Sequence, residues 1–193
     1  MSKHCFGVRV SQLLSDYHDK EWGVPVHDDS RLFEILCLEV SQAGLSWELI
    51  LKKREGYRNQ FHQFNPNLVV RMTDGELEQI LSSDSIVRHR RKIFSIRSNA
   101  KTFLEIQEQF QTFDAYVWRY VDNHPILNRW KHKEHVPCSS KISEQLAKDL
   151  KKRGMVFIGS TIIYSFMQAA GLVNDHLIDC PFYLGRAETP TYF

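Results

Sequence analysis

A carboxylate set in an apolar stripe is the residue most in need of a chemical reason. The run Leu32-Phe33-Glu34-Ile35-Leu36-Cys37-Leu38-Glu39 has helical spacing. At about 100° per residue, positions 32, 35, 36 and 39 share one helix face, so Glu39 joins the apolar side. Glu34 points away from that face and is expected to meet water. Burying an ionised carboxylate without partners is costly, so the site around Glu39 must supply charge, hydrogen bonds or a cavity. Two readings stand side by side: a helix-end carboxylate that reaches solvent or an arginine, and a functional group in a pocket. Phe6, Tyr17, Trp22 and Trp47 all lie in the first fifty residues. Aromatic walls around one carboxylate suit a flat cationic ligand, because ring faces and the carboxylate both attract positive charge. Taken singly, each ring is more simply read as core.

A second constellation is Cys5, His18, His176 and Cys180. His176 and Cys180 form His-x3-Cys, and on a helical turn such a pair shares one face. Two thiolates and two imidazoles complete a tetrahedral zinc site with no open position, the mark of a structural site. It would tie the N-terminal segment to the C-terminal one, both otherwise prone to fray. The two halves lie more than 150 residues apart and the chain has nine histidines. Spacing therefore leaves chance open beside the clasp.

Positive charge is clustered at Lys52-Lys53-Arg54, Arg88-His89-Arg90-Arg91-Lys92 and Lys151-Lys152-Arg153, although the net charge is only +2. Such clusters are either solvated helix faces or phosphate contacts. Residues Leu150 to Thr161 read as a helix, a glycine-bounded turn and a second helix. Gly154 and Gly159 let the backbone come close to a neighbour. The amides of Ser160 and Thr161, at the start of the second helix, would face a phosphate without reading sequence. A plain αα-hairpin is the alternative.

The elements that must position these residues are helical, and the class is all-α. Ser30 to Val40 opens on a candidate N-cap. The apolar theme continues over Trp47 to Lys53, and Asn65-Pro66 breaks the pattern before Leu68 to Met72. Thr73-Asp74-Gly75-Glu76 is a capping box opening a helix through Leu81. Further helices are predicted from Ile86 to about Gln109, from Phe113 to Val121, from Ser140 or Ser143 to Arg153, and from Thr161 to Ala170. Residues 123–140 read as a loop, and the chain beyond Asp179 as an irregular tail. The whole of 1–193 is expected to form a single domain.

With 42% apolar and 25% charged residues, the composition is that of a soluble globular protein. No run approaches the ~20 apolar residues of a membrane span. Met1 to Gly7 lacks the apolar stretch of a signal peptide, so the cytoplasm is the expected compartment and the four cysteines are expected as thiols or metal ligands.

The sequence resembles the bacterial 3-methyladenine DNA glycosylase I family over nearly its whole length. The resemblance is carried by Tyr17-His18-Asp19, Glu21-Trp22-Gly23-Val24-Pro25, Leu38-Glu39, Gln42-Ala43-Gly44-Leu45-Ser46-Trp47, Leu51-Lys52-Lys53-Arg54-Glu55, Arg88-His89-Arg90 and Leu150 to Gly154. It continues through Tyr164-Ser165-Phe166-Met167-Gln168-Ala169 and Gly171-Leu172-Val173-Asn174-Asp175-His176.

It implies a helix–hairpin–helix fold, with the hairpin at about 143–171, and one structural zinc ion at Cys5, His18, His176 and Cys180. Glu39 would contact the damaged base, in a pocket with Tyr17 and Trp47, beside Trp22 and Phe6. Gly44 and Leu45 would enter the duplex where the base has left. The implied reaction is hydrolytic release of 3-methyladenine from double-stranded alkylated DNA, without strand cleavage, by a monomer needing no obligate protein partner. Three other readings remain: a non-catalytic DNA-binding module, a base-excision enzyme with different damage specificity, and a zinc-stabilised interaction protein. None of 123–140, which includes Cys138, is given a role.

Overall fold

A computed structural model describes Cys5 and residues 11–185. Phe6 lies outside the described residues. The architecture is nine α-helices among the described residues, and eight of them open on a side chain that accepts from a backbone N–H of the first turn. Such caps satisfy groups that have no partner inside the helix.

The central element is α2 (Asp29–Gln42), buried continuously from Leu32 to Ser41. Around it pack α3 (Trp47–Gln60), α6 (Arg90–Phe110), α7 (Phe113–Trp118) and α9 (Ser160–Ala169). This central place corrects the expectation for Glu34. Its carboxylate is buried and held by Arg31 of its own helix and by Arg54 and Arg58 of α3. A helix wrapped on all sides has no solvent face, so a residue opposite the main apolar stripe must be paired instead. The cap of α2 is Asp28, two residues before the predicted Ser30. The short α1 (Gln12–Lys20), which apolar periodicity does not announce, presents Tyr17 and His18 to the interior.

Remaining helices follow the predicted pattern closely. The Thr73 capping box opens α5 (Asp74–Ile80), after the short α4 (Pro66–Val69). His89 caps α6, which starts four residues later than predicted. Ser140 caps α8 (Lys141–Arg153). α8 and α9 pack on one another across the turn Gly154–Gly159. Residues 123–140 are not wholly irregular. Within them β1 (Ile126–Leu127) pairs in parallel with β2 (Val173–Asn174), with Ile126 opposite Val173. The core runs through Leu32, Phe33, Leu36, Phe103, Phe113 and Phe166, all fully buried. No helix among the described residues is long and apolar enough to cross a membrane.

Candidate active site and metal centre

The ends of α1, α2, α3 and α9 meet around a cavity of about 460 Å³. Tyr17, Trp22, Glu39, Gln42, Trp47 and Gln168 line it. Thus four residues singled out in the sequence (Tyr17, Trp22, Glu39 and Trp47) share one cavity wall. The Tyr17 and Trp47 rings lie 5.3 Å apart, tilted by 54°. Trp47 Nε1 is buried with no hydrogen-bond partner among the described residues.

Glu39 sits near the end of α2 with only 4% of its surface exposed. Burial pushes its carboxyl up to about 8, because the charged form loses its hydration. Burial also raises the Tyr17 phenol, with the Glu39 charge adding to it. Among the described residues no lysine lines the cavity. Gln42, Ser165 and Gln168 also face it. Sequence reasoning assigned them no role, although all three fall within the stretches that carry the family resemblance.

Beyond Trp22 lies the second constellation. The ligating atoms of Cys5, His18, His176 and Cys180 all fall within 4.8 Å of one another, and all four residues are buried. Cys180 Sγ is 3.4 Å from His176 Nδ1 and 3.7 Å from His18 Nε2, and Cys5 Sγ is 3.6 Å from His176 Nδ1. A tetrahedral zinc site with ordinary Zn–S and Zn–N bonds has S···N edges of about 3.6 Å. The outer ring nitrogens are also engaged: His18 Nδ1 pairs with Asp19 Oδ1 at 2.6 Å, and His176 Nε2 with the Trp22 carbonyl at 2.9 Å. Such contacts fix the tautomer that offers the inner nitrogen to a metal. The donor set and its spacing fit a metal ion. Cys5 donates to Cys180, and with His176 and His18 this pushes the Cys180 thiol well below its ordinary range. Trp22 joins the two sites, since its ring packs on those of His18 and His176 while lining the cavity.

Of the hairpin residues singled out in the sequence, Gly154 and Thr161 are exposed and Gly159 and Ser160 half-buried. Gly154 ends α8 in the left-handed conformation, φ +113°, which favours glycine. Gly159 precedes α9, and a Cβ there would meet nothing within 4 Å. The backbone at Gly159 is therefore uncrowded among the described residues. α9 is also the one described α-helix without a side-chain cap, which leaves the amides of its first turn unclaimed by side chains.

The three basic clusters divide. Lys53 and Arg54 are committed to Asp84 and to Glu34 and Glu21. Arg88 and Arg91 of the second cluster, and Lys151 and Lys152 of the third, are exposed.

Known proteins decide the family. The methyladenine glycosylase family model matches residues 8–183. The chain belongs to this family. It is 45% identical over 181 residues to the DNA-3-methyladenine glycosylase of Haemophilus influenzae, covering 94% of this chain and 98% of that one. It is also 45% identical to DNA-3-methyladenine glycosylase 1 of Escherichia coli, covering 95% and 98%. Among solved structures, 3-methyladenine DNA glycosylase I from Staphylococcus aureus, described for its recognition of 3-methyladenine, superposes with a TM-score of 0.90. It is 37% identical, with 94% of this chain and 96% of that one covered. The helical fold expected from sequence is that of these glycosylases.

Proposed function

We propose that this chain is a monofunctional DNA glycosylase that hydrolyses the N-glycosidic bond of 3-methyladenine in alkylated double-stranded DNA, a step of base excision repair. The observation that carries the reading is Glu39, a buried carboxyl with a raised pKa on an aromatic-walled cavity. Methylation at N3 makes the base cationic. When the bond from N9 to the sugar C1′ breaks, its electron pair goes to the base, which leaves neutral. Water adds to C1′ and gives up a proton, leaving an abasic sugar.

Such a reaction needs little help from a general acid. It needs the base out of the stack, the damaged base selected, and the developing cationic sugar stabilised. In the empty pocket Glu39 holds its proton near neutrality, and an arriving cation favours the carboxylate. Tyr17 and Trp47 offer ring faces to the base, and Trp22 closes the wall beside them. Phe6 is retained as a further stacking candidate. Water is the nucleophile in this reading, so no strand cleavage is expected.

The pair α8–α9 acts as the helix–hairpin–helix over about 143–171, with Gly154, Gly159, Ser160 and Thr161 against the DNA backbone. Gly44 and Leu45 enter the duplex behind the extruded base. Cys5, His18, His176 and Cys180 hold one structural zinc ion, whose charge stabilises two thiolates and whose ligands join the chain ends and brace Trp22. The full 1–193 acts as one domain and as a cytoplasmic monomer without an obligate protein partner.

The test is release of free 3-methyladenine from methylated duplex DNA. The wild-type chain should release it, and Glu39→Gln should be severely impaired. No release by wild type overturns the reading, and unimpaired release by Glu39→Gln removes Glu39 from its central role. The clasp is tested separately by metal analysis of Cys180→Ser, which should lose zinc and melt at lower temperature. Full occupancy with unchanged stability overturns it.

A further inference from the structure

Lys92 is a buried lysine with no part in the reading above. It lies in the first turn of α6, where His89 accepts from its backbone N–H. Only 8% of it is exposed. A cation there is disfavoured twice, by desolvation and by the positive end of its own helix. Arg88, Arg90 and Arg91 surround it in sequence and add to the cost. Something must offset this.

The offset comes from α2. Lys92 Nζ donates to the carbonyls of Ser41, at 3.0 Å, and Ala43, at 2.6 Å. Ser41 lies in the last turn of α2 and Ala43 is its C-cap, and that last turn holds no basic residue. The final carbonyls of a helix lack intrahelical partners and carry its negative end. Lys92 supplies the missing cation from another helix.

Those two carbonyls lead directly into Gly44 and Leu45. The turn closes on itself: Leu45 N donates to the Gln42 carbonyl at 2.7 Å, and Gln42 Nε2 donates to the Leu45 carbonyl at 2.9 Å. Gly44 sits at φ +82° with open space around it. The turn is therefore pinned at its base by Lys92 and open at Gly44, with Leu45 half-buried against the core. At the other end of the linkage, α6 adjoins the hairpin. Asn99 exchanges two hydrogen bonds with the backbone of Val156, and the Arg91 guanidinium lies 5.6 Å from the centre of the Phe157 ring.

We propose that Lys92 is a positioning residue for base extrusion: its ammonium holds the Gln42–Leu45 turn in the pose from which Leu45 enters the duplex, and ties that turn to the hairpin side of the molecule through α6. The inference rests on the glycosylase reading and on Gly44–Leu45 as the wedge. Its consequence is selective. Loss of the clamp impairs excision where a base must be driven out of a duplex, and spares the pocket that receives it.

Lys92→Met keeps the apolar stem and removes both hydrogen bonds. Three measurements are compared with wild type: single-turnover excision of 3-methyladenine from a duplex, the same from a single strand of equal sequence, and binding of free 3-methyladenine followed by tryptophan fluorescence. The expected result is a loss of roughly 10- to 100-fold on the duplex, of the size that two hydrogen bonds to a charged group can supply. The single strand should change less than about threefold and free-base binding should not change, because neither requires stacking to be broken. The loss should lie in the rate constant at saturating enzyme, not in DNA affinity.

Combining Lys92→Met with Leu45→Ala should add little to the worse single variant. Equal losses on duplex and single strand, no loss at all, or fully additive losses overturn the proposal. If Lys92→Met does not fold, Lys92→Gln, which keeps one donor group, must show the same selectivity at smaller amplitude, and equal losses there overturn it too. A wild-type chain that releases no base from either substrate overturns the glycosylase reading and this inference together. An active wild type with an unselective variant overturns the inference alone.

Discussion

Two buried carboxylates are treated in opposite ways: Glu39, which lines the same cavity as Gln168, and Asp175, which accepts from the Gln168 side chain. Asp175 is 1% exposed and receives four hydrogen bonds of 2.7 Å each. Asn128 Nδ2 and Trp130 Nε1 donate to one oxygen, and the Tyr164 hydroxyl and Gln168 Nε2 to the other. That fills the acceptor capacity of a carboxylate. It also draws the segment after β1 onto α9 and the loop bearing His176. Glu39 is almost equally buried, and its carboxyl is pushed up by desolvation. Glu34, one and a half turns earlier on the same helix, is held by three arginines. The fold can satisfy a buried carboxylate when it serves as structure. At Glu39 it leaves acceptor capacity facing a cavity, which is what the proposed role toward a cationic base calls for.

The comparison breaks if the two residues fail in the same way. The largest expected effect is on chemistry: Glu39→Gln should slow excision by about 10² to 10³-fold, the range seen when one preorganised electrostatic contact is removed. Its fold should survive, because the substitution removes an energetic burden. Single-turnover release alongside thermal melting checks both halves, and a large drop in melting temperature would recast Glu39 as structural. Next in size is Asp175→Asn, expected to cost about 3 kcal/mol of stability because four donors lose their anion and an amide N–H meets one or more of them. Urea unfolding should show a lower midpoint at unchanged slope. Activity per folded molecule should fall less than in Glu39→Gln. An unmoved midpoint would mean that the donors around Asp175 find equivalent partners.

What could be read in advance follows the range of the interactions. The Thr73 box is complete within four residues and is legible as such. Glu39 stands out because helical periodicity places it among apolar side chains. The same arithmetic assumes one buried face and so places Glu34 in water, whereas the fold buries it. Its partners Arg54 and Arg58 come from α3, 20 and 24 residues on. Cys5, His18, His176 and Cys180 are recognisable by type as candidate metal ligands, but their spacing cannot show that they meet. Family resemblance supplied that expectation, and the fold brings their ligating atoms together. Residues 123–140 looked featureless because what organises them, β2 and Asp175, lies more than 40 residues downstream. Lys92 looked like one more member of a basic run, and only the carbonyls of α2 set it apart.

A dependence on pH is the most gradual effect, the smallest for any one pH unit, and it sharpens the contrast most. The Glu39 carboxyl is raised from 4.5 to about 8 in the folded chain. Below 4.5 it is protonated in both folded and unfolded states, and its burial costs nothing through ionisation. Between 4.5 and 8 the unfolded chain releases this proton while the folded chain keeps it, so stability falls as pH rises, by up to about 1.4 kcal/mol per unit. Above 8 both states are ionised and the difference levels off. Glu39→Gln lacks this term. Its melting temperature should match wild type near pH 4.5 and exceed it by a widening margin toward pH 8. Parallel melting curves across that window would show that Glu39 titrates near its ordinary value, as a carboxyl supplied with donors does, and the distinction from Asp175 would be lost.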